Sequence, residues 1–203
     1  MRIPYAALAL ALCALPAHGD AALDAALQKA LTPIDSTPLR ADLVAVSGGE
    51  TEALRALVRF VQSPATDAGV QLRAIRSLPQ FCPVACVSAE AHAVVRQVIL
   101  DNRDEAQGVG LLRLRAGIES LGAMRTGSLD DIALLVPPAG TGAPNLLDHP
   151  SRDIRATTAR SLGNLCRKAA AGFPLQQRYA SEQSPQVRLV IERAIAELES
   201  CPD

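Results

Sequence analysis

The sequence predicts an all-α fold, an array of about four helical hairpins stacked as a solenoid. Three observations carry this. Ala and Leu dominate a chain that is 49% apolar and only 2% aromatic, which favours helix on intrinsic propensity. Apolar residues recur at i, i+3, i+4 and i+7 in segment after segment, and few runs alternate in the manner of strands. A turn-and-helix pattern, clearest in LLDHPSRDIRATTARSLGNL over 146–165, returns at intervals near 40 residues, as stacked helical pairs do.

The first nineteen residues form a separate object. Arg2 supplies a positive start, and Ala6–Leu15 is an apolar run too short for an ordinary transmembrane helix. Ala17-His18-Gly19 then places small residues at the −3 and −1 positions of a cleavage site. This is the pattern of a secretory signal peptide, residues 1–19, so the mature chain is expected in the periplasm or outside the cell. A lipid anchor at Cys13 is the rival reading, disfavoured because Leu12 stands where a lipobox needs a small residue. No later segment is apolar and long enough to insert in a membrane.

Each element has its own local warrant. Residues 20–49 read as an N-terminal helical cap: a helix over Asp20–Leu31 with an acidic first turn, then Thr37 as N-cap and Pro38 opening a second helix that stops at Gly48-Gly49. Residues 50–203 read as the repeat domain. Glu50–Gln62 carries Leu54, Leu57, Val58 and Val61 on one face, and Asp67–Phe81 carries Val70, Ala74, Leu78 and Phe81, with Pro79 set to end it early. Cys82–Cys86 is a connector, after which Ser88 caps a helix to Asp101 with Ala91, Val94, Val95, Val98 and Ile99 inward. The helix over Glu105–Met124 groups Leu111, Leu114, Ile118 and Leu121, although Gly108, Gly110 and Gly117 weaken it. Ser128–Val136 is a short helix, and Pro137–Asn145 a loop with three Pro and two Gly. The helix of the 146–165 stretch buries Ile154, Thr158, Leu162 and Leu165; Phe173–Glu182 and Gln186–Glu199 complete the chain.

Second helices of successive pairs superpose with Leu78, Leu121, Leu162 and Ile195 as anchors, at intervals of 43, 41 and 33. The string Pro150-Ser151-x-x-Ile154-Arg155-x-x-x-Ala159-x-x-Leu162-Gly163-x-Leu165 resembles the HEAT repeat, and Ser184-Pro185-x-Val187-Arg188 repeats its front half. The match is looser in the first two units, where Gln71 and Leu114 stand at the Arg position. The resemblance covers about Glu50 to Glu199. It implies a right-handed α–α superhelix used as a binding scaffold, and it implies that Arg155 and Arg188 are structural arginines that pair with turn acids and carbonyls. The pattern is also what stacking demands, since one hairpin cannot hide its apolar stripe alone.

Four cysteines follow the leader: Cys82, Cys86, Cys166 and Cys201. An even count in an exported chain suggests two disulfides, with three possible pairings. Cys166 and Cys201 sit just past the ends of neighbouring second helices, whose axes run roughly 8–10 Å apart, so these two are expected to pair and leave Cys82 with Cys86. Two cysteines four apart on a regular helix cannot bridge, but Pro83 disfavours helix there. The alternative for Cys82 and Cys86 is a thiol redox or copper-binding module, or an enzyme accessory built on them.

The remaining chemistry is sparse. His92 and His149 lie in no metal-ligand spacing, and His149 is expected at the surface of its turn. No GxSxG elbow is present, and Gly108-Val109-Gly110 lacks the strand a phosphate loop needs. No catalytic residue, cofactor or metal is therefore assigned, and the chain does not read as an enzyme. The formal net charge of −1 argues against nucleic acid as a partner. The leading reading is a monomeric scaffold for another protein, an adaptor or assembly factor. Arg76, Arg115, Arg160 and Arg193 on the second helices are its candidate partner-binding residues, with a solvated or structural role as the competing reading. A purely structural repeat domain is the third possibility.

Overall fold

Residues 18–33, 36–82 and 89–201 are described by a computed structural model. Residues 1–17 with Cys13, and residues 83–88 with Cys86 and Ser88, lie outside them.

The described residues are helical throughout, with no strand among them. Helices α1 (His18–Ala30) and α2 (Arg40–Ser47) form the first pair. Gly48 ends α2 in the left-handed conformation (φ 74°), as the Gly-Gly stop requires. The start of α2 differs from expectation. Its N-cap is Leu39, not Thr37, because the Asp42 carboxylate accepts from the Leu39 N–H and secures the first turn.

Helix α3 (Glu50–Gln62) packs on α4 (Ala68–Ser77). Asp67 caps α4 by accepting from the Gly69 and Val70 amides. Pro79 converts the following turn, Leu78–Phe81, to a 3-10 helix that keeps Leu78 and Phe81 in the core. Helices α5 (Ala89–Asp101) and α6 (Gly108–Met124) form the next pair. Next comes the irregular stretch. Helix α7 (Leu129–Leu135) has only seven residues, residues 136–145 are non-helical, and the 3-10 turn Leu146–Asp148 leads into α8 (Arg152–Asn164). Helices α9 (Lys168–Ser181) and α10 (Pro185–Glu199) end the chain, with Ser184 capping α10 and Pro185 in its first turn.

Helix α9 starts five residues before the expected Phe173 and carries Pro174 in its interior. In the fold, Ala171 and Leu175 are both fully buried, and that packing outweighs the one hydrogen bond Pro174 cannot make.

The core runs through these pairs as one main cluster. Leu78, Leu121 and Leu162 are fully buried, and the fourth anchor, Ile195, packs partly buried against the cluster. Helices α4, α6, α8 and α10 pack side by side in chain order. No helix among the described residues is long and apolar enough to cross a membrane.

Candidate functional site

The seam between α4, α6, α8 and α10 is built from small residues. Ser120 Oγ donates to the Ile75 carbonyl at 2.9 Å, and Ser161 Oγ to the Ile118 carbonyl at 2.8 Å. The two serines align with each other in sequence, and each reaches the same point on the preceding helix. At Ser77 the hydroxyl turns back to the Arg73 carbonyl on its own helix. The fourth position is Ala194. There too the contact is close: a Cβ on Gly163 would lie 3.1 Å from Ala194 Cα. A Cβ on Gly122 would lie 2.7 Å from Ser161 Cα. Buried Ala74, Ala159 and Ala194 permit close approach on these helices. The glycines and serines carry it too.

The exposed side of these four helices holds the predicted arginines. The structure divides them. Arg76 Nε and Arg115 Nε both donate to Glu119, at 3.0 and 2.9 Å. Arg115 also stands 3.9 Å from Asp153 on α8. Arg125, just past α6, meets Glu197 on α10 at 3.8 Å, reaching past α8 to do so. Arg160 and Arg193 are exposed and make no ion pair among the described residues. Glu119 was overlooked in the sequence because it occupies the position that is Arg in the other units.

Arg155 closes a buried network. Its guanidinium grips Glu182 through two bonds of 2.8 and 2.9 Å and donates to the His149 and Pro150 carbonyls at 3.0 Å. Arg178 adds a second cation to Glu182 at 2.8 Å and also reaches Asp148. Hydrogen bonds from Arg155, helped by the Ser184 N–H and Arg178, outweigh burial and hold the Glu182 carboxyl down at about 2. The aligned Arg188 departs from this pattern and lies over the Tyr179 ring at 4.8 Å. His149 is buried rather than a surface turn residue. Its Nδ1 accepts from the Ser151 N–H, and burial pushes its pKa below the usual histidine range.

A second buried carboxylate was not foreseen. Asp131 on α7 is fully buried and accepts from Arg96 and Thr126, and its oxygens lie 2.9 Å from His92 Nε2. The residues are 35 to 39 apart along the chain for Arg96 and His92, so no local motif announces them. The cluster ties α5 to α7. No group of three or more metal-ligating residues exists among the described residues. A groove of about 1030 Å³ opens between α7, the 136–145 stretch and α9, with exposed Leu129 and Phe173 at its lip.

Cys166 and Cys201 form a disulfide with Cα atoms 5.5 Å apart, as the packing of α8 against α10 requires. Cys166 holds the left-handed conformation (φ 57°) just after α8, and Arg125 holds it (φ 48°) at the aligned end of α6. Cys82 is buried and disulfide-bonded; the expected partner, Cys86, lies outside the described residues. A sulfur so engaged is not the free thiolate that copper binding needs.

No family model, curated protein sequence or solved structure matches the chain.

The assignment therefore rests on the site's own geometry. Two arrangements have the character of rigid support: the Glu182 and Asp131 networks, with their carboxylates out of solvent. On the face of α4, α6, α8 and α10, Arg160 and Arg193 stand exposed.

Proposed function

We propose that this protein is an exported HEAT-type α-solenoid scaffold that binds another protein through the exposed face of its second helices. The observation that carries the reading is the pair of serine-to-carbonyl bonds, Ser120 to Ile75 and Ser161 to Ile118. They span 45 and 43 residues, two more than the 43- and 41-residue intervals between the sequence anchors. One register thus describes both junctions, as in a stack of equivalent pairs. The bond network of Arg155, reaching a turn acid and two turn carbonyls, supports the same family reading. The Cys166–Cys201 disulfide supports an oxidising compartment, and with the leader pattern it favours the periplasm or the extracellular space. A stack of pairs presents a broad, continuous helical surface, which suits protein binding better than small-molecule chemistry.

Position-resolved photo-crosslinking in the producing cell tests this. A photoreactive residue replaces Leu112, Arg160 or Leu189 on the second helices, or Arg55, Ala93 or Phe173 on the first helices. The expected result is one recurring protein adduct from the first set and none from the second. Adducts that form equally from both sets, or only from Phe173 in the α9 groove, would overturn the assignment of the face.

A further inference from the structure

Arg73, Arg113 and Arg188 on the second helices are engaged by the Leu31 carbonyl, the Gln71 side chain and the Tyr179 ring. Arg76 and Arg115 share Glu119, and Arg125 is matched by Glu197. Arg160 on α8 and Arg193 on α10 are exposed and have no ion-pair partner among the described residues. They occupy aligned positions on adjoining helices. Those helices are in close contact at Gly163 and Ala194, and Gly163 lies one turn beyond Arg160 while Ala194 directly follows Arg193. The two arginine positions therefore flank one crossing, about one helix-packing distance, ~8–10 Å, apart.

The nearby acids do not relieve them. Glu197 meets Arg125, and Asp153 stands beside Arg115 and Arg152. Glu192 adjoins Arg193 in sequence, but neighbours at i, i+1 do not face each other on a helix. One turn back from each arginine the surface is apolar: half-buried Ala156 on α8 and exposed Leu189 on α10. Two unmatched guanidinium groups beside an apolar shelf have a definite complement.

We propose that Arg160 and Arg193 form a two-pronged site for an acidic peptide segment of the partner protein. Each guanidinium takes one carboxylate, and an apolar side chain of the segment rests on Leu189 and Ala156. The inference rests on the scaffold reading and narrows its four arginines to two. An extended chain advances roughly 3.3–3.6 Å per residue, so carboxylates two or three residues apart match the separation. Arginine suits the task because its planar fork pairs bidentately with carboxylate. Anionic lipid or nucleic acid is the poorer fit, since the chain is net −1 and two arginines match two carboxylates rather than an extended polyanionic surface.

The test uses the full exported chain with its disulfide intact. A short fluorescein-labelled peptide carries two glutamates two residues apart followed by a leucine, and binding is read by fluorescence anisotropy. Saturable binding is expected. It weakens about tenfold or more in Arg160→Glu plus Arg193→Glu and with a glutamine-for-glutamate peptide. Arg55→Glu on α3 leaves it unchanged, and thermal melts by circular dichroism confirm that each variant is folded. No saturation, equal loss in Arg55→Glu, or preferential binding to phosphatidylglycerol vesicles through the same two arginines would overturn the proposal. Crosslinks from the second-helix face that persist in the double variant would remove this site and leave the scaffold reading standing. Loss of all crosslinks would remove the scaffold reading itself.

Discussion

Replacing Glu182 by Gln is the sharpest test of how the C-terminal pairs hold together. The carboxylate is buried and accepts two bonds from Arg155, one from the Ser184 N–H, and bonds from Arg178. Gln keeps the shape but leaves two cations facing a neutral amide. Breaking a buried pair by removing one partner costs about 3–5 kcal/mol. An independent figure comes from titration. The Glu182 carboxyl moves from 4.5 to about 2 on folding, which corresponds to about 3 kcal/mol of stability at neutral pH. The folded pKa is the lower one. The unfolded chain therefore binds more protons in this window, and the contribution is full above about pH 4.5 and drains away as pH falls toward 2. In thermal melts, Glu182→Gln should lower Tm at pH 7 by about 6–12 °C, taking roughly 2–4 °C per kcal/mol for a chain of this size. At pH 3 the gap between wild type and variant should shrink by about 2 kcal/mol, because the wild-type carboxylate has lost most of its advantage. A gap of the same size at pH 3 and pH 7 would refute the claim that ionised Glu182 clamps α8 to α9.

Two further perturbations probe the packing of the second helices. Gly122→Ala should destabilise by about 1–2 kcal/mol despite the better helix propensity of Ala, because its Cβ would sit 2.7 Å from Ser161 Cα. Gly172→Ala on α9, where a Cβ meets nothing within 4 Å, should stabilise by about 0.5–1 kcal/mol; denaturant melts that rank the two variants the other way would contradict the packing. Cys166→Ser plus Cys201→Ser removes a bridge across 35 residues and should cost about 3–4 kcal/mol by loop entropy. Wild type under reducing conditions should lose a similar amount, in addition to whatever Cys82 contributes.

Much of the fold was legible because helices announce themselves locally. The 3.6-residue stripe of Ala91, Val94, Val95, Val98 and Ile99 is the buried face of α5, and all five are in the core. Caps such as Asp67 and Ser184 are where short polar residues before an apolar run should be. The Cys166–Cys201 pairing followed from the adjacency of α8 and α10. The errors have one cause. Thr37-Pro38 looked like a helix start and α9 was expected from Phe173, and in both the neighbouring packing or capping acid moved the boundary. His149 looked like a turn residue, and the fold buries it against its own turn's N–H.

The site was harder to read for a physical reason. Whether an arginine is available to a partner depends on which acid lies opposite, and that acid comes from another helix pair. Arg76 and Arg160 look alike in sequence, since both precede Ser-Leu. Arg76 meets Glu119, 43 residues away, while Arg160 meets no acid among the described residues. Asp131 is similar: an acid in the first turn of α7 reads as a favourable helix-dipole residue, and only the approach of α5 turns it into a buried anchor for His92 and Arg96.

Composition and periodicity therefore determined helicity, the positions of the helices and the apolar stripes that face inward, since these depend on residues within a turn or two. The tertiary structure alone decided which polar groups are matched, buried or left exposed. Electrostatic pairing and burial arise between segments some forty residues apart, where no local rule of propensity or spacing reaches.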